Sequence, residues 1–265
     1  FGQEVNGLTS SIARMNLYLN GVEDFSIACA DTLEHPAFLD GSHLRKFDIV
    51  LANPPYSIKE WNREKFMNDK WGRNFLGTPP QGRADYAFLQ HIIASMNETQ
   101  GRCAILFPHG VLFRDEELEL RKKLVEIDIL DCIIGLGANL FYNSPMEACI
   151  LICNCSKANS KKNRVLMINA VNEVTRKNAE SMLLAEHIQK IVNAYQQNRE
   201  LDGFSRIVSN DEIREKKFNL NISLYAYQSV LQDALTVSKE DAINVWISSH
   251  SQCINEMDEL IKLIK

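Results

Sequence analysis

The tetrapeptide Asn53-Pro54-Pro55-Tyr56 closes an apolar run, Phe47-Asp48-Ile49-Val50-Leu51-Ala52, and places an amide, two rigid prolines and an aromatic ring at the end of what reads as a buried strand. These residue types suit a planar amine such as N6 of adenine. The lone pair of such an amine is delocalised into its ring, so it attacks poorly until it is localised. The Asn53 side-chain oxygen and the Pro54 carbonyl can accept its two N–H hydrogens, because proline keeps a free carbonyl while fixing its own φ. Acceptors fixed in this way stabilise positive charge as it develops on the nitrogen. Tyr56 can stack on the face of the base, which in a duplex must first be swung out of the helix. No strong general base is required, since the amine becomes far more acidic once methylated. Without that chemistry, Asn-Pro-Pro-Tyr is a turn after a strand, because Asn and Pro are ordinary turn residues.

The elements around this tetrapeptide alternate between strand and helix, the signature of a parallel sheet. The sequence predicts a strand ending at Phe1-Gly2-Gln3-Glu4, a helix over 6–19 with Ile12, Met15 and Leu19 at helical spacing, and a strand over 25–30 ending at Asp31-Thr32. Next come the strand over 47–52 and a long loop over 57–83 lying above the site. A helix over 84–97, a strand over 102–107 and a helix over 116–125 follow. Strands over 129–136 and 148–154 are joined by too few residues for a crossover helix, so they are expected to pair as an antiparallel hairpin. A basic linker, Lys157, Lys161, Lys162 and Arg164, reads as solvated and leads to a strand over 165–169. Beyond it the sequence predicts a helix over 185–197, a polar stretch and a terminal helix over 239–265.

An open parallel sheet binds ligands outside the carboxyl ends of its strands. Glu4, Asp31 and Asn53 fall at or just beyond three successive strand ends in this reading. Glu4 is placed to accept from ribose hydroxyls and Asp31 from an exocyclic amine of a bound adenine nucleoside, while Asn53 faces the methyl-accepting base. Taken singly, Glu4 and Asp31 equally suit helix-capping carboxylates.

Length and composition set the frame. The 265 residues, 45% of them hydrophobic, support one sizeable core and a smaller appended region. A net charge of −5 argues against a protein that grips DNA through a broad basic surface of its own, so a nucleic-acid function would lean on a partner. No apolar stretch approaches the length of a bilayer span and no targeting or lipidation motif is present, which reads as cytoplasmic. The seven cysteines lie mostly in apolar runs, as at Cys149, Cys153 and Cys155, and read as buried reduced thiols rather than disulfides or a metal site. His91 and His109 are too scattered for a metal site, and His109 reads as a loop hydrogen-bonder.

The ordered blocks Phe1-Gly2-Gln3-Glu4, Ala30-Asp31-Thr32-Leu33 and the run into Asn53-Pro54-Pro55-Tyr56 resemble the DNA adenine-N6 methyltransferase subunits of type I restriction-modification systems. Further blocks keep pace: Gly82-Arg83-Ala84-Asp85-Tyr86-Ala87-Phe88-Leu89, Gly101 to Arg114 with Phe107-Pro108-His109-Gly110, Ile134-Gly135-Leu136 with Leu140-Phe141-Tyr142, and Gly203-Phe204-Ser205-Arg206. The resemblance implies a Rossmann-like α/β methyltransferase fold, a doubly wound, mostly parallel sheet with a terminal antiparallel hairpin. It also implies methyl transfer from S-adenosylmethionine to adenine N6 in double-stranded DNA, with a separate specificity subunit, a second methylation subunit and in some systems a restriction subunit as partners. Residue by residue it gives Glu4, Asp31, Thr32 and Asn53 to the cofactor and Asn53, Pro54, Pro55 and Tyr56 to catalysis. Phe107, Pro108, His109 and Phe141 would shape the target-base pocket. The family's glycine-rich cofactor loop has no counterpart in this sequence, which is expected to be a fragment that alone binds the cofactor poorly or not at all. The expected division is a catalytic domain over 1–170 and a mostly helical extension over 171–265 suited to partner docking. Two other readings share some of these features: an Asn-Pro-Pro-Tyr methyltransferase acting on protein glutamine or RNA, and a catalytically silent assembly subunit that docks through the apolar stripe of residues 238–265.

Overall fold

Apolar runs bounded by turn residues become the strands of a computed structural model that describes residues 1–141, 145–177 and 180–227. In chain order the strands are β1 (Gly2–Glu4), β2 (Ile27–Cys29), β3 (Leu39–Asp40), β4 (His43–Leu44), β5 (Ile49–Ala52), β6 (Arg102–Pro108), β7 (Leu130–Leu136), β8 (Ala148–Asn154), β9 (Arg164–Ala170), β10 (Thr175–Lys177), β11 (Glu180–Met182) and β12 (Ser205–Ser209). The helices are α1 (Gly7–Leu19), α2 (Arg63–Met67), α3 (Asp85–Ala94), α4 (Leu118–Glu126), α5 (Ala185–Gln197) and α6 (Asn210–Glu215).

Six strands form one mixed sheet in the order β12-β9-β7-β8-β6-β5. β5 and β6 are parallel, as are β7 and β9, while β8 runs antiparallel to both β6 and β7. Side chains alternate between the two faces of a strand. Accordingly Cys103, Ile105, Phe107, Ile133 and Met167 pack on one face against α3, α4 and α6, and Cys132, Ile134, Leu166 and Ile168 pack on the other against α5. This is the expected Rossmann-like α/β architecture, with α3 as the crossover from β5 to β6. Cys103, Cys132, Cys149 and Cys153 are buried free thiols. No helix among the described residues is long and apolar enough to cross a membrane.

Several expectations need correction. The β7–β8 hairpin forms, but it is not terminal: β8 is inserted between β6 and β7, and β9 and β12 continue the sheet. β12, in the stretch read as merely polar, pairs antiparallel with β9. Only Val208 of that strand is deeply buried among apolar partners, so its sequence carried little periodicity. Residues 1–227 form one compact unit, and the division expected after residue 170 falls inside it, because Leu220, Ile222 and Tyr225 fill the core beneath the sheet. The loop over 57–83 contains α2 and buries Phe66, Arg73 and Leu76, so it is packed rather than draped. The basic linker is not simply solvated: Lys157 Nζ is buried and donates to Asp128 Oδ1 at 2.7 Å and to the carbonyls of Arg164 and Leu130. Lys161 pairs with the buried Asp131. The terminal helix over 239–265 and the stripe over 238–265 lie outside the described residues.

At the other end of the sheet, β1 and β2 pair parallel with each other and join no strand of the six-stranded sheet among the described residues. Asn6 caps α1 by accepting from the amides of Leu8 and Thr9. The apolar stripe of α1 has the expected spacing, yet Ile12, Met15 and Leu19 are exposed, as is Leu51 on the edge strand β5.

Candidate functional site

Asn53-Pro54-Pro55-Tyr56 begins where β5 ends, on the carboxyl side of the parallel pair β5–β6, where an α/β sheet receives its ligands. Asn53 is exposed and its side chain makes no hydrogen bond among the described residues, while Pro54 is buried and Tyr56 is half-buried. An amide held at a strand end without an internal partner is open to a ligand. Burial pushes the Tyr56 phenol up, with smaller contributions from Cys149 and Asp85, so it stays neutral and its ring can act as a stacking surface.

Glu4 and Asp31 lie at neighbouring strand ends, since Glu4 pairs with Cys29 in the parallel register of β1 and β2. Each holds a backbone amide with one oxygen: Glu4 Oε1 accepts from Asn6 at 2.8 Å, and Asp31 Oδ1 accepts from Leu33 at 2.7 Å and Glu34 at 3.0 Å. The local capping role is therefore real, and it leaves each carboxylate a second oxygen for hydroxyl or amine donors. That pair of acceptors fits the hydroxyls and exocyclic amine of a nucleoside.

The amino end of α3 ties the two strand-end regions together. Asp85, in the first turn of α3, accepts from the backbone and side chain of Ser57, the residue after the tetrapeptide. Ala84 and Ala87 pack with Leu33, two residues after Asp31, and with Phe66 of the long loop. Arg73 from that loop donates to the carbonyls of Thr32 and Leu33 and to Asp69. The Thr32 carbonyl is thus part of this framework.

The proposed base-pocket set does not come together as expected. Phe107 is 1% exposed and packs in the core under α3 and α4, whereas Phe141 packs against the core of the opposite face. Phe107 is core because it points inward in the strand alternation of β6. His109 does bond through its loop, with Nδ1 3.3 Å from Glu147 Oε2 and its ring edge-on to Phe113. Burial lowers its pKa against the pull of Glu147, and its Nε2 has no partner among the described residues.

Sequence reasoning assigned no role to Ser57, Arg73, Asp85, Gly110, Arg114 or Glu117. The signal available was a charged residue placed inside each apolar block, Asp85 in one and Arg114 in another.

The sequence model of the family described as N-6 DNA Methylase matches residues 1–234. The chain is 33% identical over 255 residues to the type I restriction enzyme MjaVII methylase subunit of Methanocaldococcus jannaschii, covering 91% of this chain and 42% of that protein. It is 31% identical over 247 residues to the MpnII methylase subunit of Mycoplasma pneumoniae, covering 89% of this chain and 45% of that one. Among solved structures, the type I restriction-modification methyltransferase subunit of Streptococcus thermophilus superposes with a TM-score of 0.78 at 38% identity, over 85% of this chain and 48% of that chain. The chain thus spans somewhat under half the length of the relatives it matches.

Proposed function

Because the chain belongs to the N-6 DNA methylase family, we propose that it is the catalytic part of a type I methylation subunit that transfers a methyl group from S-adenosylmethionine to adenine N6 in DNA. The observation that carries this reading is the exposed amide of Asn53, without a hydrogen bond among the described residues, next to Pro54 at the carboxyl end of β5. The Asn53 oxygen and the Pro54 carbonyl accept the two hydrogens of the adenine amine and draw its nitrogen toward tetrahedral geometry. Acceptors carried on one rigid strand end stabilise positive charge as it develops on that nitrogen. Tyr56 stacks on the extruded base, and His109 with Pro108 borders it. Glu4 takes ribose hydroxyls, and Asp31, with Thr32 beside it, takes the exocyclic amine of the cofactor's adenine. The bound cofactor supplies an electrophilic methyl on a sulfonium.

The net charge of −5 supports a division of labour in which a separate specificity subunit chooses the DNA sequence and a second methylation subunit helps to clamp the duplex, with a restriction subunit in some assemblies. The relatives are named as methylase subunits, which supports an assembly of more than one kind of chain. The activity proposed is that of a whole methylation subunit, of which the chain matches under half the length.

The test is methyl transfer from labelled S-adenosylmethionine to unmethylated DNA by the full-length protein with its specificity subunit, and by the same complex carrying Asn53→Ala. Transfer that vanishes with Asn53→Ala while assembly persists supports the reading. Transfer unaffected by Asn53→Ala defeats it, and label recovered in protein or RNA instead favours the rival substrates.

A further inference from the structure

We propose that Asp85, clamped by Arg114, is a positioning residue that fixes the Asn53-Pro54-Pro55-Tyr56 loop through Ser57, an inference that rests on the function proposed above. Ser57 has a φ of 48°, in the left-handed region that a serine rarely adopts. Such a conformation persists only where its surroundings over-determine it. Asp85 supplies that constraint from both sides of the residue: its Oδ1 accepts from the Ser57 backbone amide at 2.8 Å and its Oδ2 from the Ser57 hydroxyl at 3.1 Å. Its side chain is 0% exposed and sits in the first turn of α3, where the helix dipole favours negative charge.

Arg114 closes the ring. Its Nη1 donates to Asp85 Oδ2 at 2.8 Å and its Nη2 to the Ser57 hydroxyl at 3.2 Å. The guanidinium in turn lies against Gly110, where a Cβ would come within 2.5 Å of Arg114 Nε and the guanidinium would have to move. Arg121 Nη1 donates to the Arg114 carbonyl, and the Tyr86 hydroxyl to the Val111 carbonyl, which joins the first turn of α3 to the turn after β6. Three separated blocks of the sequence thus meet in one ring, centred on the buried Asp85, at the residue that follows the tetrapeptide: Ser57, Asp85 with Tyr86, and Gly110 with Arg114. The ring touches neither the acceptor atoms of Asn53 nor the Pro54 carbonyl. Its effect is to set where the chain leaves the tetrapeptide, and with it the aim of those two acceptors.

The experiment uses the full-length complex, with the parent and Asn53→Ala as references. Asp85→Asn keeps an acceptor for the Ser57 amide but removes the charge that holds Arg114. It is expected to lower kcat about tenfold to a hundredfold, with KM for DNA and cofactor nearly unchanged, since a displacement of about 1 Å at a reacting centre costs about that much. Ser57→Ala is expected to lower kcat less. The double substitution should be no worse than Asp85→Asn alone, because the two act through one contact. Hydrogen exchange of peptides covering residues 53–57, a readout independent of activity, should rise at least about tenfold in Asp85→Ala as the hydrogen bond to the Ser57 amide is lost. Parent-like kcat in Asp85→Asn, strictly additive losses, or unchanged exchange at 53–57 would overturn the proposal. A parent complex that methylates no DNA sinks the functional reading instead, and the exchange measurement still decides whether Asp85 holds the loop.

Discussion

The Leu33 carbonyl accepts from Arg73 Nη2 at 2.7 Å, so a buried guanidinium from the long loop after Tyr56 holds the segment that follows Asp31. Arg73 also binds Asp69 Oδ1 through both Nε and Nη2, and both side chains are almost wholly buried. Removing one partner of such a pair leaves an uncompensated buried charge. Arg73→Ala is therefore expected to cost about 3–5 kcal/mol in denaturant unfolding. Asp69→Asn combined with Arg73→Met should cost less than the sum of the single changes.

Asn53 presents the opposite case. Its exposed side chain carries no hydrogen bond among the described residues, so nothing in the folded unit depends on it. Asn53→Ala is expected to change unfolding stability by less than about 0.5 kcal/mol. Loss of methyl transfer in that variant, with an unmoved denaturation midpoint, would assign the amide to chemistry and not to folding.

Glu117 makes the stability pH-dependent. Its carboxyl is 0% exposed with neither oxygen hydrogen-bonded among the described residues, and Arg114 Nη1 lies 3.6 Å away. Burial pushes its pKa up to about 7; Arg114 opposes the shift and Asp85 adds to it. Because the folded value lies above the unfolded one, the folded state keeps its proton after the unfolded chain has lost it. The contribution is full below about pH 4.5 and disappears as pH rises through about 7, a change on the order of 3 kcal/mol. Glu117→Gln should flatten that slope, matching the parent near pH 4 and exceeding it by on the order of 3 kcal/mol at about pH 8. Urea unfolding across that range checks it, and a parent whose stability does not fall over this window contradicts it.

The lysines of the stretch over 157–164 separate into two kinds. Lys157→Met removes three bonds from a buried ammonium and leaves Asp128 without its cation, at a cost of about 3 kcal/mol or more. Lys162→Ala, at an exposed position, should stay within about 0.5 kcal/mol. Parallel thermal unfolding of the two variants compares them, and equal behaviour would restore the solvated-linker reading.

What was legible in the sequence was local. Strand runs such as 148–154, the helix of residues 7–19 and the tetrapeptide at the end of β5 each declare themselves within a few residues. The framework behind the site was not legible, because Ser57 and Asp85 are 28 positions apart, Asp85 and Arg114 are 29, and the three meet only through the crossover of β5, α3 and β6. Lys157 looked like one more linker lysine, since the acceptors that bury it come from 128–130 and 164. Periodicity located the apolar stripe of α1 but says nothing of what covers Ile12 or Leu19. Phe107 marks the converse limit: the family resemblance gave it to the base pocket, and strand alternation places it in the core.

The central claim concerns the atom that receives the methyl group. Reaction of the full-length complex with S-adenosylmethionine carrying a deuterated methyl, followed by digestion of the DNA to nucleosides and mass spectrometry, tests it most directly. The account predicts deuterated N6-methyladenine as the labelled nucleoside, absent with Asn53→Ala. Label in N4-methylcytosine or 5-methylcytosine, or in adenine regardless of Asn53, would contradict it.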